Sequence, residues 1–540
     1  MIRLMRAPFG AILLLVLVTM PLMAATRTWT GAVSGRWSDP ANWDGGVPVA
    51  GDDLVFPLLN GGAGVSTNDL ASGTMFRSIT VSGPGYRIGG NGIVLGAGGL
   101  ILRNIFLVSL IHAELKFASI TLAESQTWSG PGGELTYLGP LNINGKTLTV
   151  TDFVRPVFDS ISGSGAIIEN NPNGLVSSAS SAYLGPVTVD SGLFQIGGTA
   201  GDVQVTGHGF EGDDQTNLTN ATLGLAGANV ANVTVNGSGA LTLHRSPGTS
   251  YAGSLAFAPT AGDPAWFVVA DGPLPVVCNV AGNVALGNAL LVVRPSQFSA
   301  FTLIHSQGHD PVSGTFLGLP EGAIFGNGMW SRISYAGGSG NDVTITPVST
   351  AVIGTTTTIT SSANPSSPGQ IVTFTAAVTS ASSTPAGVVR FYDGSLLLGA
   401  SSLTSSGRAA LATSFAAGSH LITAAYLGSD TVATSQANVR QAACDTPILT
   451  QQPASQTIAS GQRVTLTVQT NATPPFSLQW YQGLSGDTST PIFGAISQTF
   501  TSTALTRNTS FWVQLTSVCG NVQSATATIT VQTRRRTAGH

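Results

Sequence analysis

Charged side chains are scarce in this chain of 540 residues. Only 9% of the residues are Asp, Glu, Lys or Arg, and lysine occurs only as Lys116 and Lys146. An average globular protein has about 25% charged residues. The net charge is −4, and no basic patch runs through the body of the chain. Because nucleic-acid binding depends on clustered cationic side chains, the composition excludes nucleic-acid partners.

The motifs of common enzymes are also missing. The sequence contains no P-loop, no H-E-x-x-H and no G-x-S-x-G between a strand and a helix. His305 and His309 have a spacing that could present two metal ligands on a helix, but Gly308 and Pro311 predict a loop there. We therefore predict no catalytic, cofactor-binding or metal-binding residue, and a protein that is not an enzyme.

Helical periodicity is absent as well, because apolar residues do not recur at spacings of three and four. Hydrophobic residues make up 42% of the chain and the mean hydropathy is +0.28, which excludes a disordered protein. Glycine is abundant, with 67 residues, and favours β-structure with many tight turns. The length predicts several domains.

The N-terminus has the features of an export signal, which we assign to residues 1–25. Arg3 and Arg6 precede an apolar run from Ala11 to Val18, and Ala24 and Ala25 lie near the expected cleavage point. This run is too short for a membrane anchor, which needs about 20 residues. We expect no membrane span in the mature chain, and a secreted, extracellular or cell-surface location.

Export permits disulfides, and the chain has three cysteines. Cys444 and Cys519 bracket one module and are the natural pair. Cys278 lies in an apolar run and is interpreted as a buried free thiol.

Short segments of alternating polarity, separated by Gly, Asn or Asp, recur from residue 26 to 347. Such alternation predicts strands with one buried face. Two architectures fit, a sandwich or barrel and a solenoid of stacked coils, and the length without a helix favours the solenoid. A linker and a module of antiparallel type follow over 348–443, a second module over 444–533, and a disordered tail over 534–540.

The N-terminal region resembles autotransporter-associated β-strand repeat proteins. The segments that carry the resemblance are Trp29–Gly31, Arg36–Ser38, Gly51–Phe56, Tyr183–Leu193 and Asp310–Val343. The resemblance implies an all-β chain that begins with a right-handed parallel β-helix. A true autotransporter ends in a membrane barrel, and this chain departs from that pattern at its C-terminus.

The C-terminal region resembles bacterial Ig-like repeats. Gly369–Thr375 and Gly387–Gly394 carry the likeness in the first module, and Leu478–Tyr481 and Phe511–Val513 carry it in the second. The resemblance implies two Ig-like β-sandwich domains and makes Trp480 a core residue. Leu466 lies where the usual second-strand cysteine would be.

Two acidic clusters have alternative interpretations. Glu211, Asp213 and Asp214 could supply oxygens to Ca²⁺, but a solvated surface loop fits them better, since no calcium-loop spacing is present. Asp52 and Asp53 are interpreted as turn residues whose carboxylates accept backbone N–H groups.

The early tryptophans Trp29, Trp37 and Trp43 could form a platform for sugars or plug one end of the core, and we favour the plug. The sequence thus predicts a non-catalytic structural or adhesion protein, a rigid β-helical stalk extended by Ig-like modules, without a cofactor. Its expected partners are extracellular polysaccharide or surface proteins. The alternative is a β-helix protein that binds or degrades extracellular polysaccharide.

Overall fold

The protein is all-β over the part of the chain that the structure describes. A computed structural model describes residues 25–58, 64–82, 85–103, 113–129, 136–151, 156–171, 175–177, 181–206, 221–225, 228–243, 250–258, 261–269, 278–293, 300–326, 329–382, 384–472 and 476–532. A short 3₁₀ turn, Pro40–Asn42, is the one helical element among these residues, and none of their helices could cross a membrane. The predicted export signal and C-terminal tail lie outside them, except for Ala25.

The chain divides between Ser162 and Gly163 into two compact units. The strands described in the first unit are β1 (Thr26–Trp29), β2 (Trp43–Asp44), β3 (Asp53–Phe56), β4 (Val65–Asn68), β5 (Thr74–Val81), β6 (Arg87–Gly90), β7 (Ile93–Leu102), β8 (Ala113–Phe117), β9 (Ile120–Leu122), β10 (Gln126–Ser129), β11 (Thr136–Leu138), β12 (Leu141–Asn142), β13 (Lys146–Thr151) and β14 (Pro156–Phe158).

Parallel pairing between strands that are not consecutive dominates the first unit. In one sheet, β4, β6, β8, β11 and β14 pair in that order. In the other, β1, β3, β5 and β7 pair in that order, while β2 joins β1 antiparallel. Alternation of buried and exposed residues predicted these strands, but alternation does not distinguish parallel from antiparallel partners.

A tight turn joins β12 to β13 where the sequence has Asn144-Gly145. Asn144 has φ of 54° and Gly145 has φ of 73°, and the N–H of Lys146 donates to the carbonyl of Ile143 over 3.1 Å. Consecutive left-handed residues are the reason that Asn-Gly occupies such turns.

The second unit begins with a further set of strands, most of which pair in parallel. They are β15 (Ile161–Gly163), which lies across the division, β16 (Gly165–Asn170), β17 (Leu175–Ser177), β18 (Ser181–Tyr183), β19 (Val187–Ser191), β20 (Leu193–Ile196), β21 (Gly198–Ala200), β22 (Val203–Val205), β23 (Thr222–Leu225), β24 (Asn229–Val235), β25 (Ala240–Leu243), β26 (Ser250–Phe257), β27 (Trp266–Val269), β28 (Cys278–Val280), β29 (Val284–Ala285), β30 (Leu290–Val293), β31 (Phe301–Ser306), β32 (Ile324–Phe325), β33 (Ser331–Gly337) and β34 (Asp342–Pro347).

Parallel register stacks buried side chains of the second unit into ladders. One ladder runs across five paired strands through Val187, Val203, Val233, Leu255 and Val284, all of which are buried. In the facing sheet, β17, β20, β23, β25, β27 and β30 pair parallel in that order. The core therefore grows strand by strand along these sheets. β31 pairs parallel with β28 and antiparallel with β34, and the antiparallel pairs of β33 with β34 and with β32 follow.

Two antiparallel modules complete the second unit. The first module contains β35 (Thr355–Ser361), β36 (Val372–Ser380), β37 (Val388–Asp393), β38 (Leu396–Ser402), β39 (Arg408–Thr413), β40 (Gly418–Tyr426) and β41 (Ser435–Ala443). The last module contains β42 (Leu449–Gln451), β43 (Gln456–Ala459), β44 (Thr465–Thr467), β45 (Gln469–Thr470), β46 (Phe476–Gln482), β47 (Thr499–Thr501), β48 (Thr509–Ser517), β49 (Gly520–Gln523) and β50 (Ala527–Gln532).

Each module encloses its own apolar core. Phe374, Phe391 and Tyr426 are central to the first module. Trp480 and Leu466 lie in the core of the last module, where the indole N–H of Trp480 donates to the carbonyl of Ser497 over 2.9 Å. Burial of Trp480 confirms its predicted core role.

Candidate functional site

Asp393 connects the first module to the parallel sheets that precede it in the second unit. It ends β37, and its carboxylate is almost completely buried, with 3% of the side chain exposed. Oδ1 accepts the N–H of Gly262 over 2.9 Å, and Oδ2 lies 2.7 Å from Nδ1 of His420. Gly262 lies in the turn between β26 and β27, so one carboxylate joins two parts of the chain that are 131 residues apart.

His420 is fixed on both sides of its ring. Nδ1 faces Asp393, while Nε2 lies 3.1 Å from the carbonyl oxygen of Ala416. The hydrogen bond to Asp393 raises the pKa of His420, and burial opposes this effect only in part. Because both nitrogens face acceptors, the imidazolium form satisfies the site. A ring occupied at both nitrogens has no free lone pair to act as a general base, so this pair serves as a clamp.

Main-chain hydrogen bonds extend the clamp. The N–H of Leu421 donates to the carbonyl of Gly262 over 2.9 Å, and the N–H of Thr434 donates to the carbonyl of Ile324 over 2.8 Å. Asn288 donates through Nδ2 to the carbonyl of Ser395 over 3.1 Å. These bonds attach β40, the residue before β41 and the turn after β37 to three separate places in the region that precedes the module.

Ion pairs lie at the rim of this junction. Arg440 contacts Asp263 over 3.1 Å, with 41% and 11% of the two side chains exposed, and Arg332 lies 3.7 Å from the fully exposed Asp430. Exposed pairs contribute about 0–1 kcal/mol each. The buried Asp393 therefore carries more of the orientation of the module than the rim charges do.

An apolar contact fills the centre of the junction. Leu317 and Leu290 pack against Tyr392 and Ala425 of the first module. A cavity of about 180 Å³ lies beside them, lined mainly by leucines and the wall of β41. Sites for small ligands typically enclose about 300–1,000 Å³, so the cavity fits a packing void better than a ligand pocket.

The three cysteines form one disulfide and one free thiol. Cys444 and Cys519 are joined by a disulfide, with Cα atoms 6.0 Å apart. Cys444 directly follows β41, so the bond ties the end of the first module to the turn after β48. Cys278 is a buried free thiol, as predicted, and burial raises its pKa to about 12.

The early tryptophans lie in the core of the first unit. Trp29, Trp37 and Trp43 have 1%, 0% and 4% of their surface exposed. Trp29 packs edge-on against Trp43 with ring centres 5.0 Å apart, and Trp37 packs on Phe56 at 5.8 Å. Burial of all three indoles contradicts the sugar platform, because no indole face is open to a ligand, and it agrees with the core packing that the plug interpretation requires.

The structure describes only some of the residues that were weighed as metal ligands. Glu211, Asp213 and Asp214 lie outside the described residues. His305 lies on β31 rather than in the predicted loop and contacts Asp342 over 3.0 Å, while His309 is exposed. Among the residues that the structure describes, no group of three His, Cys, Asp or Glu side chains could hold a metal ion.

Sequence reasoning missed Asp393, His420 and Glu169. Pairing of β37 with β40 brings Asp393 and His420 together, and no local sequence pattern predicts this pairing. Glu169 is fully buried on β16, neither carboxyl oxygen has a hydrogen-bond partner among the described residues, and burial raises its pKa well above the usual range. The sequence could have predicted this burial, because Glu169 lies two residues after Ile167 and side chains two apart on a strand point to the same face.

Two family models match the C-terminal part of the chain. Residues 358–443 match the bacterial Ig-like domain (group 3), and residues 450–533 match a domain of unknown function (DUF8696). The first module is therefore Ig-like. A comparison with curated proteins finds no match.

Among solved structures, the chain is similar to fibronectin(III)-like modules of CbhA from Clostridium thermocellum, with 18% identity, 34% of this chain and 98% of that chain covered, and a TM-score of 0.19. It is also similar to the N-terminal Ig1-2 module of the Drosophila receptor protein tyrosine phosphatase DLAR, with 12% identity, coverage of 32% and 98%, and a TM-score of 0.14. For immunoglobulin domains 1–4 of Sidekick-1, identity is 17%, coverage is 38% and 58%, and the TM-score is 0.22.

Proposed function

We propose that this chain is an exported, non-catalytic protein of the cell surface or extracellular space with a structural or adhesive role. Residues 26–347 would form a right-handed parallel β-helix of the autotransporter-associated type. The Ig-like module at 348–443 and a second such module at 444–533 would extend it. Parallel strand order and the ladders of buried residues support the β-helix, and the Ig-like match and the disulfide support an extracellular setting.

The clamp at Asp393 is the observation that carries this proposal. A flexible tether would suffice to display an independent module, yet here a buried carboxylate, two main-chain hydrogen bonds, the side-chain bond from Asn288 to Ser395 and an apolar contact hold the module. Such a junction keeps the module in one orientation relative to the sheets that precede it. A stiff connection of this kind suits a spacer that presents its far end at a distance.

The experiment combines an attachment assay on cells with a binding and cleavage assay on the purified chain. Deletion of the gene should reduce attachment of the cells to extracellular polysaccharide or to surface proteins, and the wild-type gene should restore it. The variant Asp393→Ala with Arg440→Ala should restore it less well. The exposed Asp487→Ala in the last module should restore it fully and serves as the matched control.

The purified mature chain should also be incubated with a panel of polysaccharides and matrix components. We expect binding without release of reducing or unsaturated ends. Release of such ends would overturn the non-catalytic assignment. Unchanged attachment after deletion, together with no binding, would overturn the adhesive and structural role.

A further inference from the structure

The carboxylate of Asp52 organises the first residues of β1 from a buried position. Asp52 is 1% exposed. Its Oδ2 accepts the N–H of Val49 over 3.0 Å and the Nε–H of Arg27 over 2.8 Å. Its Oδ1 lies 3.1 Å from the backbone nitrogen of Ala25. These contacts confirm the interpretation of Asp52 as a turn residue. The same interpretation is wrong for Asp53, which lies on β3 and accepts side-chain hydrogen bonds from Arg77 and Ser78.

Both the backbone nitrogen and the carbonyl oxygen of Ala25 are hydrogen-bonded. While its nitrogen faces Asp52, its carbonyl accepts the N–H of Asp53 over 2.8 Å, just before β1 and β3 pair in parallel at Thr26 and Asp53. A chain that began at Thr26 would lose both bonds and leave the buried Oδ1 of Asp52 without this donor. Leaving a buried carboxylate oxygen unpaired is unfavourable.

We propose that export processing cuts the chain between Ala24 and Ala25, and that the freed α-ammonium group of Ala25 forms a buried ion pair with Asp52. This inference rests on the proposed export. The export signal was assigned to residues 1–25, and the proposed cut shortens it by one residue. Ala precedes the cut whether cleavage follows Ala24 or Ala25, so composition alone does not choose between them. The two hydrogen bonds of Ala25 make the choice.

The chemistry is hydrolysis of one amide by a signal peptidase. Water adds its hydroxyl to the carbonyl carbon of Ala24, and the nitrogen of Ala25 keeps its proton and gains one from that water. A further proton from solvent gives the ammonium. The pairing replaces a neutral N–H donor with a cation at the same carboxylate oxygen, and charge-assisted hydrogen bonds are roughly twice as strong as neutral ones.

Burial alone would raise the pKa of Asp52. The hydrogen bonds from Val49, Arg27 and Ala25 outweigh this effect, and the pKa of Asp52 lies below its usual value. The carboxylate is thus ionised when the new amino group arrives. A free α-amino group has a pKa of about 7.7–8.0, and an adjacent buried carboxylate should raise the pKa of Ala25 above that range.

The first test exports the full precursor from a bacterial host and determines the intact mass and N-terminal sequence of the product. We expect a chain that starts at Ala25. A product that starts at Thr26 would overturn the assigned site while leaving export intact. A product that retains Met1 would instead overturn the proposed export.

The second test examines the ion pair independently of export. Full-length chains are made in the cytoplasm to begin at Ala25 or at Thr26 after removal of the initiator methionine. An amine-selective aldehyde at pH 7.5 should label the α-amine of the Ala25 chain about tenfold more slowly than that of the Thr26 chain, which corresponds to about one pKa unit.

Asp52→Asn in the Ala25 chain should restore fast labelling, while Asp44→Asn, an exposed carboxylate on β2, should not. Emission of the buried tryptophans verifies that each variant is folded. Equal labelling of the Ala25 and Thr26 chains would overturn the ion pair, even if Asp52→Asn failed to fold.

Discussion

The parallel region of the second unit and the two antiparallel modules bury apolar side chains in different ways. In the parallel region, each buried position repeats on the next strand, as in the ladder from Val187 to Val284. In each module, strands close around one cluster, such as the one centred on Trp480. In a ladder, each buried side chain is stabilised mainly by its neighbours on the adjacent strands, so a substitution at one position has a local effect. In a closed cluster, removal of one large side chain weakens the packing of the whole core.

The largest expected effect tests the closed cluster. Trp480→Ala should lower the free energy of unfolding of the last module by about 3–5 kcal/mol, because it removes a fully buried indole that packs on Phe500 at 5.4 Å. Scanning calorimetry should show one transition moving to lower temperature while those of the parallel region stay in place. The control Phe493→Ala alters a fully exposed side chain, at 103%, and should change stability by less than about 0.5 kcal/mol. A loss below about 1 kcal/mol for Trp480→Ala would remove the contrast.

Removal of the disulfide tests whether the last module depends on a covalent cross-link, which is absent from the described parallel strands. Cys519→Ser opens a closed segment with a sequence separation of 75 and should destabilise the last module by about 2–4 kcal/mol. Denaturant titration with and without reductant measures this change. Reduction of the wild type should reproduce the loss, and the variant should not respond to reductant. A variant that still shifts on reduction would contradict the expectation.

Substitution of Glu169 tests how a ladder of stacked apolar side chains tolerates a carboxyl group. It pairs in register with Val189 on β19, and neither of its carboxyl oxygens has a hydrogen-bond partner in the part of the chain that the structure describes. Glu169→Val should raise the free energy of unfolding at pH 7 by about 1–3 kcal/mol. Since burial raises the pKa of Glu169 in the folded state, the wild type should lose stability as the pH rises above about 4.5, and the variant should lose less.

The control for Glu169→Val is Glu124→Val, at an exposed position of the first unit. It should be nearly neutral at every pH. If Glu169→Val destabilised the protein at pH 7, the ladder would be shown to depend on its buried carboxyl group.

The smallest expected effect concerns the clamp between the two kinds of structure. The hydrogen bond from Asp393 raises the pKa of His420 in the folded state. Its contribution to stability is therefore complete below about pH 6.5 and is lost as the pH rises through the higher folded-state pKa. Because His420 is only partly buried, the change should be below about 1 kcal/mol.

Thermal unfolding of the first module, followed from pH 6 to 9, measures this slope. His420→Gln should flatten it, and the exposed His309→Gln should leave it unchanged. An identical slope in wild type and His420→Gln would exclude the histidine as its source.

The sequence predicted strands well and their partners poorly. Segments such as 187–189 and 233–235 alternate and became β19 and part of β24, because alternation reflects burial of one face. Alternation is identical for parallel and antiparallel strands, so alternation did not give the parallel order, which only the resemblance to autotransporter-associated repeats implied. Asp393 and Gly262 could not have been paired, since 131 residues separate them and each is an ordinary turn or strand-end residue. Glu169 could have been found, because a charged residue stands at an inward position.

The bond between Cys444 and Cys519 also determines how the chain would respond to tension. A pull applied beyond Cys519 passes directly through the sulfurs to Cys444 and bypasses β42 to β48. The enclosed segment, with a separation of 75 residues and about 3.5 Å of contour per residue, cannot be drawn out while the bond persists. Only β49, β50 and the residues after them could be extended from that end, so the last module would remain short under forces that unravel its final strands.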